Sequence, residues 1–276
     1  ISSLNQKYIK DESPDGVYWE GIKKQFLFED ELIMMNNGTV GPVPKPVFNT
    51  LMKSVYISGL ISPIKELSQL AHEKGILIQA DSAHGIGMLD LNMKDLGVDF
   101  FSSSPYKWLG APTGVGLLYV RKEAQDTLWP TIVTGGWDTF QDARKYETHG
   151  QDADALIFAL GEALDFQNAI GRKRIERRIK ALAGYLKQEL RKIPGVKIHT
   201  PDDPYLSGGL TAFSMDGVDP VRLVDYVREK YNLVVRRVGS KEAGTYAVRV
   251  STPIYVSFKD TDLLLEGVRE LLRHQA

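Results

Sequence analysis

The 276-residue chain contains no cysteine. Disulfides, thiolate metal sites, iron–sulfur ligation and a cysteine nucleophile are therefore excluded for these residues. Charge of one sign is lacking as well: 34 Lys and Arg stand against 35 Asp and Glu, a formal net charge of −1. No global field gathers nucleic acid or anionic lipid, so neither is expected as a partner. No stretch approaches the roughly 18 apolar residues of a membrane span, and no basic-apolar-small leader pattern opens the chain. His72, His84, His149, His199 and His274 have no metal-ligand spacing, and no metal is expected. Neither a Gly-x-Gly-x-x-Gly fingerprint nor a P-loop is present. The chain starts at Ile1 rather than methionine, so removal of an upstream segment is expected. Cytoplasm is then only the default compartment, with an exported one left open.

What is present is the composition of a globular protein, 43% apolar and 25% charged, long enough for one large domain or two ordinary ones. Ser62-Pro63 suits a helix start, with a hydroxyl cap and proline in the first turn. Ile64, Leu67, Leu70 and Ala71 share one face of that helix, and Gly75 is placed to close it. Ile76 to Ala80 reads as a short buried parallel strand, which puts Asp81 at its carboxyl end. A short helix near Leu91 to Leu96, a strand over Val98 to Phe101, the run Ser102-Ser103-Ser104 and a strand over Leu117 to Val120 follow. This alternation predicts a doubly wound α/β layer. From Asp154 to Ile193 the pattern is helical, and "GRKRIERRIK", with Glu176 interleaved, reads as a solvated helix face rather than a nucleic-acid patch. The remainder alternates strands over 196–199, 210–214, 233–237 and 247–251 with helices over 221–231 and 261–273. That is a small α+β domain.

In an open α/β sheet, ligands bind outside the carboxyl ends of the strands. Asp81, His84, Ser102 to Ser104 and Lys107 all fall at such ends. Singly each has a plain reading: Asp81 a turn or cap, His84 a satisfied structural imidazole, the serines a polar turn. Lys107 is more specific, because "SPYKWLGAP" surrounds it with apolar and glycine residues. A lysine desolvated there would have a lowered pKa and could form a Schiff base with an aldehyde.

The segment "ILIQADSAHGIGMLDLNMKDLGVDFFSSSPYKWLGAPTGVGLLYVRKE" resembles the central part of the class V, fold-type I pyridoxal-phosphate enzymes. That group holds cysteine desulfurases, isopenicillin N epimerase-like proteins and carbon–sulfur lyases. The resemblance implies a three-layer large domain with a mostly parallel sheet and a small C-terminal α+β domain. Its boundaries would be an N-terminal segment over 1–30, the pyridoxal-phosphate domain over 31–165, and a linker helix with the small domain over 166–276. It further implies that Lys107 forms an aldimine with pyridoxal 5′-phosphate and that Asp81 pairs with the pyridine nitrogen. His84 would face the 3-oxygen and Ser104 a phosphate oxygen, with Tyr106 standing where the family has a histidine. Thr134 and Gly135, in "TGGW", would reach the phosphate of a neighbouring subunit, so a homodimer with shared sites is implied. Arg249, in "AVRVS", would bind the substrate α-carboxylate, a planar anion suited to a guanidinium fork. Asn37, in "NNGTVGP", would also meet substrate.

One departure concerns the junction near residues 54–55, where "LMKSVYISG" runs across a region that in the family spans several strand–helix units, on the order of a hundred residues. Part of the large domain, including the phosphate cradle, is therefore expected to be absent from this sequence. The expected function is an amino-acid enzyme of the aminotransferase, epimerase or carbon–sulfur lyase type, and not a desulfurase working through an enzyme persulfide. The alternative is a degenerate fold-type I domain that binds a partner or ligand without catalysis.

Overall fold

The computed structural model describes residues 58–132, 138–147, 153–241 and 245–273. Asn37, Thr134, Gly135 and the junction near 54–55 lie outside the described residues. The first helix, α1 (Ile64–Glu73), has Pro63 itself at the cap position, and no side chain caps it. Its inward residue is Ser68, whose hydroxyl donates to the Ile64 carbonyl at 2.8 Å. Leu67 and Leu70, expected on a covered face, are exposed to solvent. The helix is amphipathic as its spacing requires, but the described residues do not cover its apolar face.

Three short strands follow: β1 (Gln79–Asp81), β2 (Phe100–Ser103) and β3 (Leu117–Val120). β1 and β2 are parallel, with Asp81 opposite Ser102, and β2 and β3 are antiparallel, so the sheet is mixed. Pairing starts later than hydrophobicity suggests. Ile76 and Leu77 are exposed and unpaired, and Ser102 and Ser103 lie within β2 rather than after it. The cause is Asp99, a fully buried carboxylate that accepts the Ile78 N–H at 2.8 Å and turns the chain into register there. Between the strands, α2 (Met93–Leu96) is capped by the Asn92 side chain and closed by Gly97 in the left-handed conformation. Ala80, Val98 and Phe101 form the core of this layer.

Two long helices, α3 (Asp154–Ile170) and α4 (Arg172–Arg191), meet at Gly171. Ile175, Ile179, Leu182, Leu186 and Leu190 of α4 are buried at helical spacing, which turns much of the basic run to solvent. The second sheet has the order β4 (Val196–Ile198), β5 (Leu210–Met215), β7 (Thr245–Ser251), β6 (Arg236–Ser240), all antiparallel. Two helices, α5 (Pro220–Tyr231) and α6 (Phe258–Arg273), pack with it, and Phe213, Val227, Val248 and Val268 lie at the centre of the shared core. Asp219 caps α5 and Asn232 ends it with a left-handed residue. The chain entering α1 is tied to this second layer, since Leu60 bridges Ser207 and the Thr200 hydroxyl donates to the Ser58 carbonyl.

Candidate active site

The site is built where β1 and β2 end side by side. The Ala83 N–H donates to Asp81 Oδ1 at 3.1 Å, so the carboxylate turns its own chain while remaining exposed. Beyond the last ladder pair, Ser82 N–H donates to the Ser102 carbonyl and the Ser103 hydroxyl to the Ser82 carbonyl, each at 2.8 Å. Ser103 is thus spent on joining the two strand ends. The chain then makes a tight turn in which Lys107 N–H donates to the Ser104 carbonyl at 3.2 Å.

That turn is clamped against the loop after β1. Gly87 has φ +82°, and a Cβ there would lie 2.3 Å from the Leu109 nitrogen, so only glycine permits the approach. The Trp108 indole N–H donates to His84 Nδ1 at 3.0 Å. Buried Gln167, on α3, donates its amide to the Trp108 carbonyl at 3.0 Å and to the Leu109 carbonyl at 3.3 Å. The far edge of the indole lies over Gly209, where a Cβ would be 2.6 Å from Trp108 Cη2. The lysine-bearing turn is therefore held by three separate parts of the chain.

The electrostatics show which charges meet. The His84 imidazole is pushed down to about 4, first by burial, then by the positive charges of Lys107 and Arg249, with Asp81 acting in the opposite sense. Asp81, His84, Lys107 and Arg249 therefore share one field, although Arg249 belongs to β7 of the second sheet. Arg249 stands directly opposite Arg236 of β6. Burial, and then the charge of Arg236, lower its own pKa. Two guanidiniums on one face of a strand pair repel, and an anion between or beside them relieves the repulsion.

Among the remaining expected site residues, Ser104 is half-buried at the head of the lysine turn. Tyr106 is 43% exposed, its ring centroid 5.8 Å from Lys107 Nζ. One expectation is corrected. The apolar neighbours of Lys107 predict a desolvated amine, whereas Lys107 is exposed, because Trp108 and Leu109 turn inward toward His84 and the core and leave the lysine outside. Among the described residues no group of three or more His, Asp or Glu is arranged for a metal ion. Sequence reasoning missed the Trp108 donor, Gln167 and Gly87. A polar residue inside the apolar helix "LDFQNAI" is the one local signal that could have marked Gln167.

A carboxylate, an imidazole and an amine stand at adjacent strand ends, within the charge of a guanidinium from a second sheet, which is the position outside the carboxyl ends of strands where α/β folds bind ligands. Residues 43–264 match the family described as aminotransferase class-V, and the chain belongs to it. Pyridoxal phosphate is the cofactor of that family. The chain is 30% identical over 233 residues to isopenicillin N epimerase from Streptomyces clavuligerus, covering 79% of this chain and 58% of that protein. It is 31% identical over 234 residues to a probable cysteine desulfurase from Chlamydia trachomatis, covering 79% and 57%. Among solved structures, the apo cysteine desulfurase from Thermococcus onnurineus NA1 is similar with a TM-score of 0.71 at 25% identity, over 78% of this chain and 57% of that one. The chain thus spans less than three-fifths of the length of these relatives.

Proposed function

We propose that the chain is the site-bearing part of a pyridoxal-phosphate enzyme acting at the Cα or Cβ of an amino acid. The observation that carries this reading is the placement of Asp81, His84 and the Lys107 turn at the adjacent ends of β1 and β2, with the charge of Arg249 acting on His84. The donor set fits the cofactor chemically. Asp81 is an exposed carboxylate able to face a cationic ring nitrogen, and Lys107 is an exposed amine able to meet an aldehyde. When bound, pyridoxal phosphate supplies that aldehyde and a ring that stores the electrons of a Cα carbanion.

Each side chain then has a task in keeping with its position. Asp81 would hold the cofactor's ring nitrogen protonated, the state in which the ring can store electrons. His84 offers a neutral hydrogen bond beside the ring. Lys107 would anchor the cofactor, and its amine is the group placed to take and return a proton at the substrate Cα as general base. Arg249, with Arg236 opposite it, binds the α-carboxylate and so fixes which Cα bond faces the lysine. Ser104 and Tyr106 belong to the lysine turn and would offer hydrogen bonds to the cofactor; Thr134, Gly135 and Asn37, outside the described residues, stay assigned to phosphate and substrate by the family resemblance alone. A route through an enzyme persulfide has no thiol among these residues. Transamination, epimerisation and β-elimination remain, and the likeness to isopenicillin N epimerase favours chemistry confined to Cα.

The test is spectroscopic. Protein mixed with pyridoxal phosphate should turn yellow, borohydride should bleach the band, and Lys107→Ala should abolish it. Protein that stays colourless and retains no cofactor would overturn the proposal.

A further inference from the structure

We infer that Trp108 is a positioning residue that sets the tautomer of His84, so that the imidazole always presents its Nε2–H into the crevice. The inference deepens the proposed function and rests on it only for the identity of the group that Nε2–H faces. An indole nitrogen can donate a hydrogen bond but cannot accept one. Its 3.0 Å contact is to His84 Nδ1, so Nδ1 must be the bare nitrogen and Nε2 must carry the proton. Protonating Nδ1 would bring two donors face to face. Trp108 therefore also opposes the imidazolium form, in the same sense as burial, Lys107 and Arg249, while Asp81 opposes them all.

The indole is itself immobilised from both ends. The Trp108 backbone carbonyl accepts from Gln167, the ring edge packs on Gly209 and Ile179, and the chain neighbour Leu109 is clamped by Gly87. A donor held this firmly cannot follow the imidazole through a ring flip. The consequence is a fixed, neutral hydrogen-bond donor next to an exposed carboxylate and an exposed amine. Such a donor suits a ring oxygen that must keep its negative charge without being protonated.

The test begins on the protein without added cofactor. With histidine labelled by nitrogen-15, His84 should show a protonated Nε2 and a bare Nδ1 as its single neutral tautomer, titrating at about 4. Trp108→Phe keeps a ring over Gly209 and removes only the N–H. In it, both tautomers should appear and the titration should move up from about 4, while burial, Lys107 and Arg249 still hold it below 6.5. His84→Gln should restore the arrangement, its amide oxygen accepting from Trp108 and its NH2 pointing into the crevice, so the indole N–H proton should stay protected from exchange. A wild-type His84 protonated on Nδ1, or a Trp108→Phe protein with unchanged tautomer and titration, would overturn the inference. These readouts need no bound pyridoxal phosphate. A wild-type protein that passes them and still takes up no cofactor refutes the proposed function and leaves the tautomer assignment standing.

Discussion

At the scale of single residues, the site depends on a few atoms that must approach closely. Gly87 is the clearest case, combining a left-handed φ of +82° with backbone of the lysine turn where a side chain would go. Gly87→Ala should cost about 1–3 kcal/mol through strain and a forced shift of the Leu109 backbone, read as a lower urea midpoint. The same variant should weaken cofactor uptake, because Lys107 moves with that turn. A midpoint within error of wild type would show that the loops are not clamped. Asp81, His84 and Lys107 were legible as candidates from their strand-end positions, since β1 places one side chain at the crevice by its length alone. The inward turn of Trp108, which leaves Lys107 exposed, was not legible, because adjacent residues in a turn have no periodicity to betray which one is buried.

At the scale of elements, the chain's local patterns set the helices well and the strands only approximately. Helices α4, α5 and α6 lie within a few residues of their apolar spacing and capping signals. β1, β2 and β6 are shifted toward the carboxyl terminus of the expected runs, because hydrogen-bond register, and not hydrophobicity, decides where pairing begins. Asp99 illustrates the competition. It is fully buried at the start of β2, hydrogen-bonded to His72 Nε2 at 2.9 Å and to the Ile78 N–H, and ion-paired with Arg121 Nη2 at 2.6 Å, and so joins α1, β1 and the end of β3. Burial alone would raise its pKa, but the hydrogen bonds from His72 and Ile78 and the charge of Arg121 hold it below the usual carboxylate value. Asp99→Ala should destabilise the fold by about 3 kcal/mol, the low end for a broken buried ion pair, since His72 and Arg121 retain access to water. Thermal unfolding measures it, and a loss under about 1 kcal/mol would show that the network does not organise the sheet.

At the scale of the whole molecule, two features have consequences. His84 and His199 both have pKa values lowered chiefly by burial, His84 to about 4. The unfolded chain binds protons at these sites near 6.5 and the folded chain only at lower pH, so their contribution to stability is complete above 6.5 and shrinks as pH falls, for His84 down to about 4. Denaturation midpoints taken between pH 7.5 and 4.5 should decline, and His84→Gln should flatten the decline. The second feature is α3, apolar nearly all round but covered among the described residues along Leu156, Leu160, Ala163, Gln167 and Ile170. Phe158 and Phe166 are 77% and 61% exposed, which is unfavourable for a helix facing water. We propose that a homodimer, which the family resemblance implies, covers this helix. Sedimentation should then show concentration-dependent dimers that Phe158→Asp disperses; a wild-type protein monomeric at all concentrations would remove that proposal.

By itself the sequence determined the α/β class, the order of helices and strands, the crevice position of Asp81 and the candidacy of Lys107, because each follows from local spacing and from where a short apolar run ends. It also carried the family resemblance that the match over residues 43–264 supports. Only the tertiary structure decided that Arg249 joins the field around His84, that Trp108 orients the imidazole, and that Lys107 is left in solvent. Those facts depend on which distant surfaces come near one another, and the charge that Arg249 of β7 exerts on His84 after β1 leaves no periodic trace in either segment.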